Sequence, residues 1–398
     1  MSDPIADQPR RLWAEVDLDA IAGNLAAVNR LVHPARVMAV VKADAYGHGA
    51  VAVARTVETA GAAALGVATV EEGLLLRDAG VRLPILVLGP APGEEDAALA
   101  ADLGLTVVHE AGMRDIIEAA RRRDVAPHVH VKVDTGMSRL GTDPQAVPAL
   151  LDRAGHDHLR IEGIFTHLAA ADSDPAFTRE QVERFRPAAD LVRARYPRVL
   201  RHAAATAGIL SLPEARFDMV RLGLGLYGLS PSPDLPGAAL LRPAMSVWAR
   251  VVQVRPVPGG ATVSYGRTYR AAAATRIATV AIGYGDGYPR LLGNRGRMRL
   301  DDRDCPVAGR VTMDYTMLDV GGDAPAAAGD IAQVFGPELP VEEVAAPAGT
   351  ISYEIVCGIG PRVPRIYRAG GQVVGLRDQR SAAGVARPRP PRLPARER

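Results

Sequence analysis

The stretch "RVMAVVKADAYGHGAVAVARTVETAG", residues 36–61, joins an apolar run to a glycine-punctuated turn and then to an alanine-rich segment with apolar residues at helical spacing. That is a strand–turn–helix unit, and the same texture continues along the chain. Strands are predicted at "ALGVATV" (64–70), "PILVLG" (84–89), "LTVVHE" (105–110), "HVHVKVD" (128–134), "IEGIFTH" (161–167), "VLRHAAA" (199–205) and "MVRLG" (219–223). With the first at 36–43 they make eight, mostly separated by helical segments such as "AGMRDIIEAARRRD". Eight such units over roughly 190 residues predict an α/β fold with a parallel (β/α)8 TIM-like barrel; a doubly wound open sheet is the competing arrangement.

Past "PSPDLPG" (231–237) the texture changes. Valine and threonine alternate with polar residues, glycine and proline punctuate, and helices nearly vanish. "MSVWARVVQVRPV", "RIATVAIG", "CPVAGRVTMDYTMLDV" and "GDIAQVFG" read as strands of a mostly antiparallel β domain. The organisation expected is a barrel over 12–239, a C-terminal β domain over 240–373 and an Arg/Pro-rich tail over 374–398. The early strand "LWAEVD" (12–17) fits either domain. No repeat of fixed period is visible.

Composition narrows the function. The 398 residues carry a formal charge of +2, but "RPRPPRLPARER" (387–398) holds five arginines and one glutamate. The rest is therefore slightly acidic, which excludes a nucleic-acid-binding footprint, and such a tail is expected to be disordered. No signal-peptide core or membrane-length apolar run is present. Two cysteines, Cys305 and Cys357, imply no disulfide framework. A cytoplasmic enzyme with neither membrane nor nucleic-acid partners is expected.

Of 47 basic side chains only Lys42 and Lys132 are lysine. Lysine differs from arginine in that its amine can lose a proton and become a nucleophile. At the end of a buried strand desolvation favours the neutral amine, and condensation with an aldehyde cofactor is the usual employment of such a residue. Lys132, Asp134, Arg139, His167, Thr206 and Arg221 also fall at or just beyond strand ends, where barrels build their sites. "GLGLYG" (223–228) lacks the βαβ context of a dinucleotide site, although its backbone amides suit a phosphate. "HVH" (128–130) lacks further ligands, so no metal is expected. "GYGDGY" (283–288) reads as a turn with positive-φ glycines or a loop near a pocket.

Together, "AVVKADAYGHG", "VKVDTGMSRLG", "EGIFTHLAAAD", "MVRLGLGLYGLSPS", "VSYGRTY", "AIGYGDGYPR", "GRVTMDYTMLDV" and "TISYEIVCGIGPRVPRIY" resemble the alanine racemase family in order and over roughly residues 10–370. The resemblance implies a pyridoxal 5'-phosphate enzyme of barrel plus β domain that interconverts L- and D-alanine, supplying D-alanine for peptidoglycan. Lys42 would be the Schiff-base lysine and one base. Tyr265, from the partner subunit of a homodimer, would be the second base, linked through His167 to Arg221 under the cofactor ring. Tyr46, Tyr353, Thr206 and the amides of Gly223 and Leu224 would hold the phosphate. Arg139 would meet the cofactor's phenolic oxygen and the substrate carboxylate, Met313 would receive that carboxylate, and Tyr284 would line the substrate site. Lys132 matches a position that carries a carbamylated lysine in many members. Ala205 and Thr206 replace the usual asparagine–serine pair, and Thr312 stands where many members have cysteine. A broad-specificity racemase, a barrel-type decarboxylase and a non-catalytic cofactor carrier are the alternatives; the tyrosine of "VSYG" argues against the last two.

Overall fold

The computed structural model describes residues 10–154, 159–232, 234–323 and 325–378. The described residues divide into two compact units, one within 17–245 with 352–357, the other within 10–16, 246–351 and 358–378.

The first unit contains eight parallel strands: β2 (Arg36–Val40), β3 (Ala64–Val67), β4 (Ile85–Val87), β5 (Leu105–Val107), β6 (His128–Lys132), β7 (Arg160–Phe165), β8 (Leu200–His202) and β9 (Met219–Leu222). They pair as β4-β3-β2-β9 and β5-β6-β7-β8. Both seams are hydrogen-bonded. The Val87 N–H donates to Gly104 O (2.9 Å) and the Gly104 N–H to Ile85 O (2.8 Å), while Asp218 N–H reaches Arg201 O (3.0 Å) and Arg221 N–H reaches Ala204 O (2.9 Å). The ring closes into a barrel. β3, β4, β5 and β9 are buried along their whole length, which is why they read as unbroken apolar runs. β7 carries one extra residue: Val129 faces Ile161 but His130 faces Gly163, skipping Glu162. That bulge decides where His130 goes, because a Cβ on Gly163 would lie 2.0 Å from its Nδ1.

The second unit is built on a nine-stranded sheet. Its backbone is β1 (Leu12–Asp17) beside β10 (Met245–Val257), with strict burial alternation in β1. β10 pairs antiparallel with Thr275–Val280 and Ile331–Phe335. The early strand therefore belongs to the β sheet.

Four expectations need correction. β2 ends at Val40, and residues 42–46 form a turn in place of further strand. Helices do not vanish from the C-terminal half: Val341–Ala348 and Ser352–Gly358 are helical, and residues 352–357 group with the barrel. The reason is close packing, since a Cβ on Gly47 would sit 2.2 Å from Val356 O. The last strand, Gln372–Arg377, runs into the segment read as tail; residues 379–398 of that tail lie outside the described residues. Within 283–288 only Gly287 has positive φ (+111°). Gly283 is glycine for want of space: a Cβ there would lie 2.2 Å from Thr312 O.

Candidate active site

Lys42 stands just beyond β2, where the Val41 N–H makes the strand's last bond to Gly66 O (2.9 Å). The next four residues, Ala43, Asp44, Ala45 and Tyr46, all have φ between +51° and +54°. This is a left-handed helical turn, which costs about 1–2 kcal/mol per non-glycine residue. Its neighbours hold it. Glu72 Oε1 accepts from Ala43 N–H (2.6 Å) and Asp44 Oδ1 from Ala50 N–H (2.8 Å), while Gly47 N–H returns to Ala43 O (3.0 Å). Burial lowers the Lys42 pKa, Arg139 lowers it further, and Glu72 opposes both.

The turn seats the Tyr46 ring 4.9 Å from Tyr227 and 6.1 Å from Tyr353. Burial pushes the Tyr46 phenol well up and that of Tyr353 up to about 12, so both stay protonated donors. The Tyr46 hydroxyl points at Gly223, where a Cβ would approach it to 2.8 Å. Among the described residues the backbone N–H groups of Gly223 and Leu224 meet no acceptor. Thr206 opens the helix Thr206–Ser211, and its Oγ1 accepts from Gly225 N–H (3.1 Å). Ala205, the residue before that helix, offers no capping bond.

Lys132 ends β6 at 6 % exposure, its Nζ 5.4 Å above the Phe165 ring. Burial, then Arg221, Arg139 and Lys42, bring its pKa down to about 8. Asp134 Oδ1 accepts from Gly136, Met137 and Ser138 N–H (2.9, 3.0 and 3.1 Å), folding the loop that carries Arg139. Arg139 itself is exposed and meets no carboxylate among the described residues.

Arg221 is fully buried, and burial lowers its pKa to about 10, still protonated at neutral pH. Its Nη1 donates to His202 Nδ1 and His202 O (3.0 Å each). Its Nη2 faces Thr166 O (2.8 Å), Ala203 O (2.9 Å) and His167 Nδ1 (3.1 Å). Among the described residues only its Nε–H lacks a protein acceptor. A guanidinium can only donate, so both histidines accept at Nδ1. Burial first, then Arg221, depresses the His167 pKa to about 3 and holds that of His202 well below its usual value. Each neutral ring therefore carries its proton on Nε2. His202 Nε2 donates onward to His130 Nδ1 (2.9 Å).

Tyr265, Met313 and Tyr284 lie in the other unit, 72 %, 53 % and 44 % exposed. Tyr265 sits on a tight turn between Ser264 (φ +64°) and Gly266 (φ +70°), pinned where Ser264 Oγ donates to Arg310 O (2.7 Å). Met313 tops a turn in which Thr312 Oγ1 donates to Tyr315 O (2.8 Å) and accepts from Tyr315 N–H (3.2 Å). A threonine at 312 thus closes its own turn. Asp286, fully buried, anchors the Tyr284 loop through Arg11 (2.9 Å) and Gly283 N–H (3.1 Å).

The structure gathers Lys42, Tyr46, Lys132, Arg139, His167, Thr206, Arg221, Gly223, Leu224 and Tyr353 in one unit. Glu72, His202 and His130 were not singled out from sequence as site residues. For His130 a signal existed: His128, His130 and Lys132 alternate on one strand, hence on one face. No group of metal-ligating side chains occurs among the described residues.

Residues 16–231 match the family described as alanine racemase, N-terminal domain, and residues 244–367 its C-terminal domain. The chain belongs to the alanine racemase family. An alanine racemase of Symbiobacterium thermophilum is 46 % identical over 375 residues, covering 92 % of this chain and 99 % of that relative. Among solved structures, alanine racemase from D-cycloserine-producing Streptomyces lavendulae superposes with a TM-score of 0.86 at 39 % identity, over 92 % of this chain and 98 % of that one. Alanine racemase from Bartonella henselae, described with covalently bound pyridoxal phosphate, gives 0.82 at 29 % identity, over 90 % and 100 %. Among the described residues no helix is long and apolar enough to cross a membrane.

Proposed function

We propose that this protein is an alanine racemase that interconverts L- and D-alanine with pyridoxal phosphate in the cytoplasm, supplying D-alanine for peptidoglycan. The donors around Lys42 fit that cofactor. The unpaired Gly223 and Leu224 N–H groups, the Tyr46 and Tyr353 hydroxyls and Thr206 suit its phosphate, and the Nε–H of Arg221 suits its ring nitrogen. When bound, the cofactor supplies an aldehyde for an amine and a conjugated ring that draws electron density from the substrate Cα. The observation that carries the reading is the bonding of Arg221, which leaves one donor free and no proton to give. Arg221 would donate a hydrogen bond to the ring nitrogen while keeping its own proton, so it would leave that nitrogen unprotonated and favour quick return of a proton to Cα.

Racemisation needs a base on each face of Cα. Lys42 Nζ serves the D face, its lowered pKa favouring the neutral amine. Tyr265 of the partner subunit serves the L face. The His167 Nε2–H then donates to the Tyr265 oxygen and favours the phenolate. Arg139 and the Met313 backbone N–H of the partner subunit hold the substrate carboxylate, with Tyr284 lining its approach. Lys132 is carbamylated and orients Arg139: with a pKa of about 8, about a tenth of its amine is neutral at pH 7, several hundred times more than for an ordinary lysine. The active species is a homodimer with shared sites.

Incubating the cofactor-loaded protein with L-alanine in deuterated water tests the reading. D-alanine deuterated at Cα is expected. Carbon dioxide and amine would indicate a decarboxylase, cofactor binding without exchange a carrier, and equal turnover of larger amino acids a broad-specificity racemase.

A further inference from the structure

At the amino-terminal ends of the barrel strands, opposite the Lys42 mouth, lies a cavity of about 1040 Å³. Its size suits a ligand rather than a packing defect. Six arginines line it, against Asp102, Glu162 and Asp218. Arg193 is paired with Asp218 (2.5 Å), Arg195 with Asp152 (2.5 Å), and Arg77 is held by four backbone carbonyls. Glu162 is bonded to His128 (2.6 Å). The other three guanidiniums, Arg36, Arg82 and Arg198, are exposed and meet no carboxylate among the described residues. They precede or begin different strands, yet face one space. Its inner wall is apolar, from Met38, Leu86 and Met219, which form a buried cluster.

One polar group breaks that wall. His130 is 7 % exposed, lines the cavity, and is placed there by the β7 bulge and by Gly163. Its Nδ1 accepts from His202 Nε2, whose direction is imposed by Arg221. The neutral His130 ring therefore carries its proton on Nε2, and among the described residues that N–H meets no protein acceptor. That N–H opens onto the cavity, where an acceptor on a bound ligand can take the place of water.

We propose that the lower mouth of the barrel binds a nucleoside di- or triphosphate, its phosphates on Arg36, Arg82 and Arg198 and its base on the apolar wall, with a ring nitrogen or carbonyl accepting from His130 Nε2–H. Guanidiniums suit phosphate oxygens through paired N–H bonds. An inorganic anion would leave the apolar wall unused, and an apolar ligand would leave the arginines unused. The site is independent of the reaction proposed above, although His202 connects it by hydrogen bonds to Arg221.

The test is calorimetric titration of the full-length, cofactor-loaded protein, freed of excess cofactor, with ADP, UDP, pyrophosphate and adenosine in turn. One saturable site per chain is expected for at least one of the two nucleotides, with pyrophosphate and adenosine at least tenfold weaker. The double substitution Arg82→Ala/Arg198→Ala, both exposed positions, should raise the Kd tenfold or more. In protein labelled with 15N-histidine, the nucleotide should shift the His130 Nε2 resonance. No saturable binding up to millimolar nucleotide overturns the proposal, as does binding that survives the arginine substitutions. Pyrophosphate binding as tightly as the nucleotides overturns the assignment to a nucleoside phosphate.

Discussion

Glu72→Gln removes one charge from the clamp on the left-handed turn. In the native protein the two carboxylate oxygens accept from different backbone groups, Oε1 from Ala43 N–H at 2.6 Å and Oε2 from Ala68 N–H at 2.7 Å. They tie the turn after β2 to the end of β3. The turn itself holds about 4–8 kcal/mol of unfavourable backbone conformation over its four left-handed residues. An amide has one oxygen, so one of the two N–H groups faces an NH2 instead of an acceptor. A hydrogen bond to a charged group contributes about 1.5–3 kcal/mol, and because Glu72 is half-exposed water recovers part of it, leaving a loss of about 1–2 kcal/mol. For a unit of this size that corresponds to a fall in Tm of about 2–8 °C. Glu72 also raises the pKa of Lys42, so the variant should titrate its lysine at lower pH. Thermal unfolding by circular dichroism reads the first effect, and the pH dependence of Lys42 reactivity toward an aldehyde reads the second. An unchanged Tm together with an unchanged or raised Lys42 pKa would refute the reasoning.

Gly223→Ala should weaken cofactor affinity at least tenfold while leaving the fold intact, since the new Cβ would press on the Tyr46 hydroxyl at 2.8 Å; equilibrium dialysis against pyridoxal phosphate measures it. Tyr265→Phe should slow α-proton exchange from L-alanine more than from D-alanine, and equal losses in both directions would count against a two-base assignment. Mixing the separately inactive Lys42→Ala and Tyr265→Phe proteins after dissociation should restore up to about a quarter of the activity, because a hybrid dimer has one intact shared site; no recovery would contradict sites shared between subunits. Acid should destabilise the barrel. The pKa of His130 is about 3 when folded and about 6.5 when unfolded, so the unfolded chain takes up the proton first. Its contribution is present above pH 6.5 and is lost as pH falls toward 3, amounting to about 2 kcal/mol by pH 5. His202 acts in the same direction, and urea midpoints at pH 7.5 and pH 5 provide the check.

The barrel strands were legible because those covered on both sides, β3, β4, β5 and β9, read as short apolar runs, and the others, such as β6 and β7, recur at the same spacing with buried β-branched residues between helical segments. Lys42 and Lys132 stood out through scarcity alone. The turn after Lys42 could not be read, because Ala43 and Ala45 have no preference for left-handed backbone and the carboxylate that holds them lies 29 residues away from Ala43 in sequence. Tyr353 reads as part of the β domain by position, but its helix groups with the barrel through the contact at Gly47. The direction of the chain from Arg221 to His130 is also hidden, since it depends on which ring nitrogen carries a proton. "HVH" invites a metal reading, but β7's extra residue turns its second histidine toward another histidine instead.

The confinement of both lysines to the barrel site has a practical side. Lys132 is buried and Lys42 is half-buried, and the sequence has no third lysine. Acylating dyes and amine cross-linkers will therefore find no lysine on the outer surface of the described residues. On the function proposed above, dye taken up by Lys42 counts sites without cofactor, so a simple labelling stoichiometry becomes a gauge of how much of a preparation is loaded.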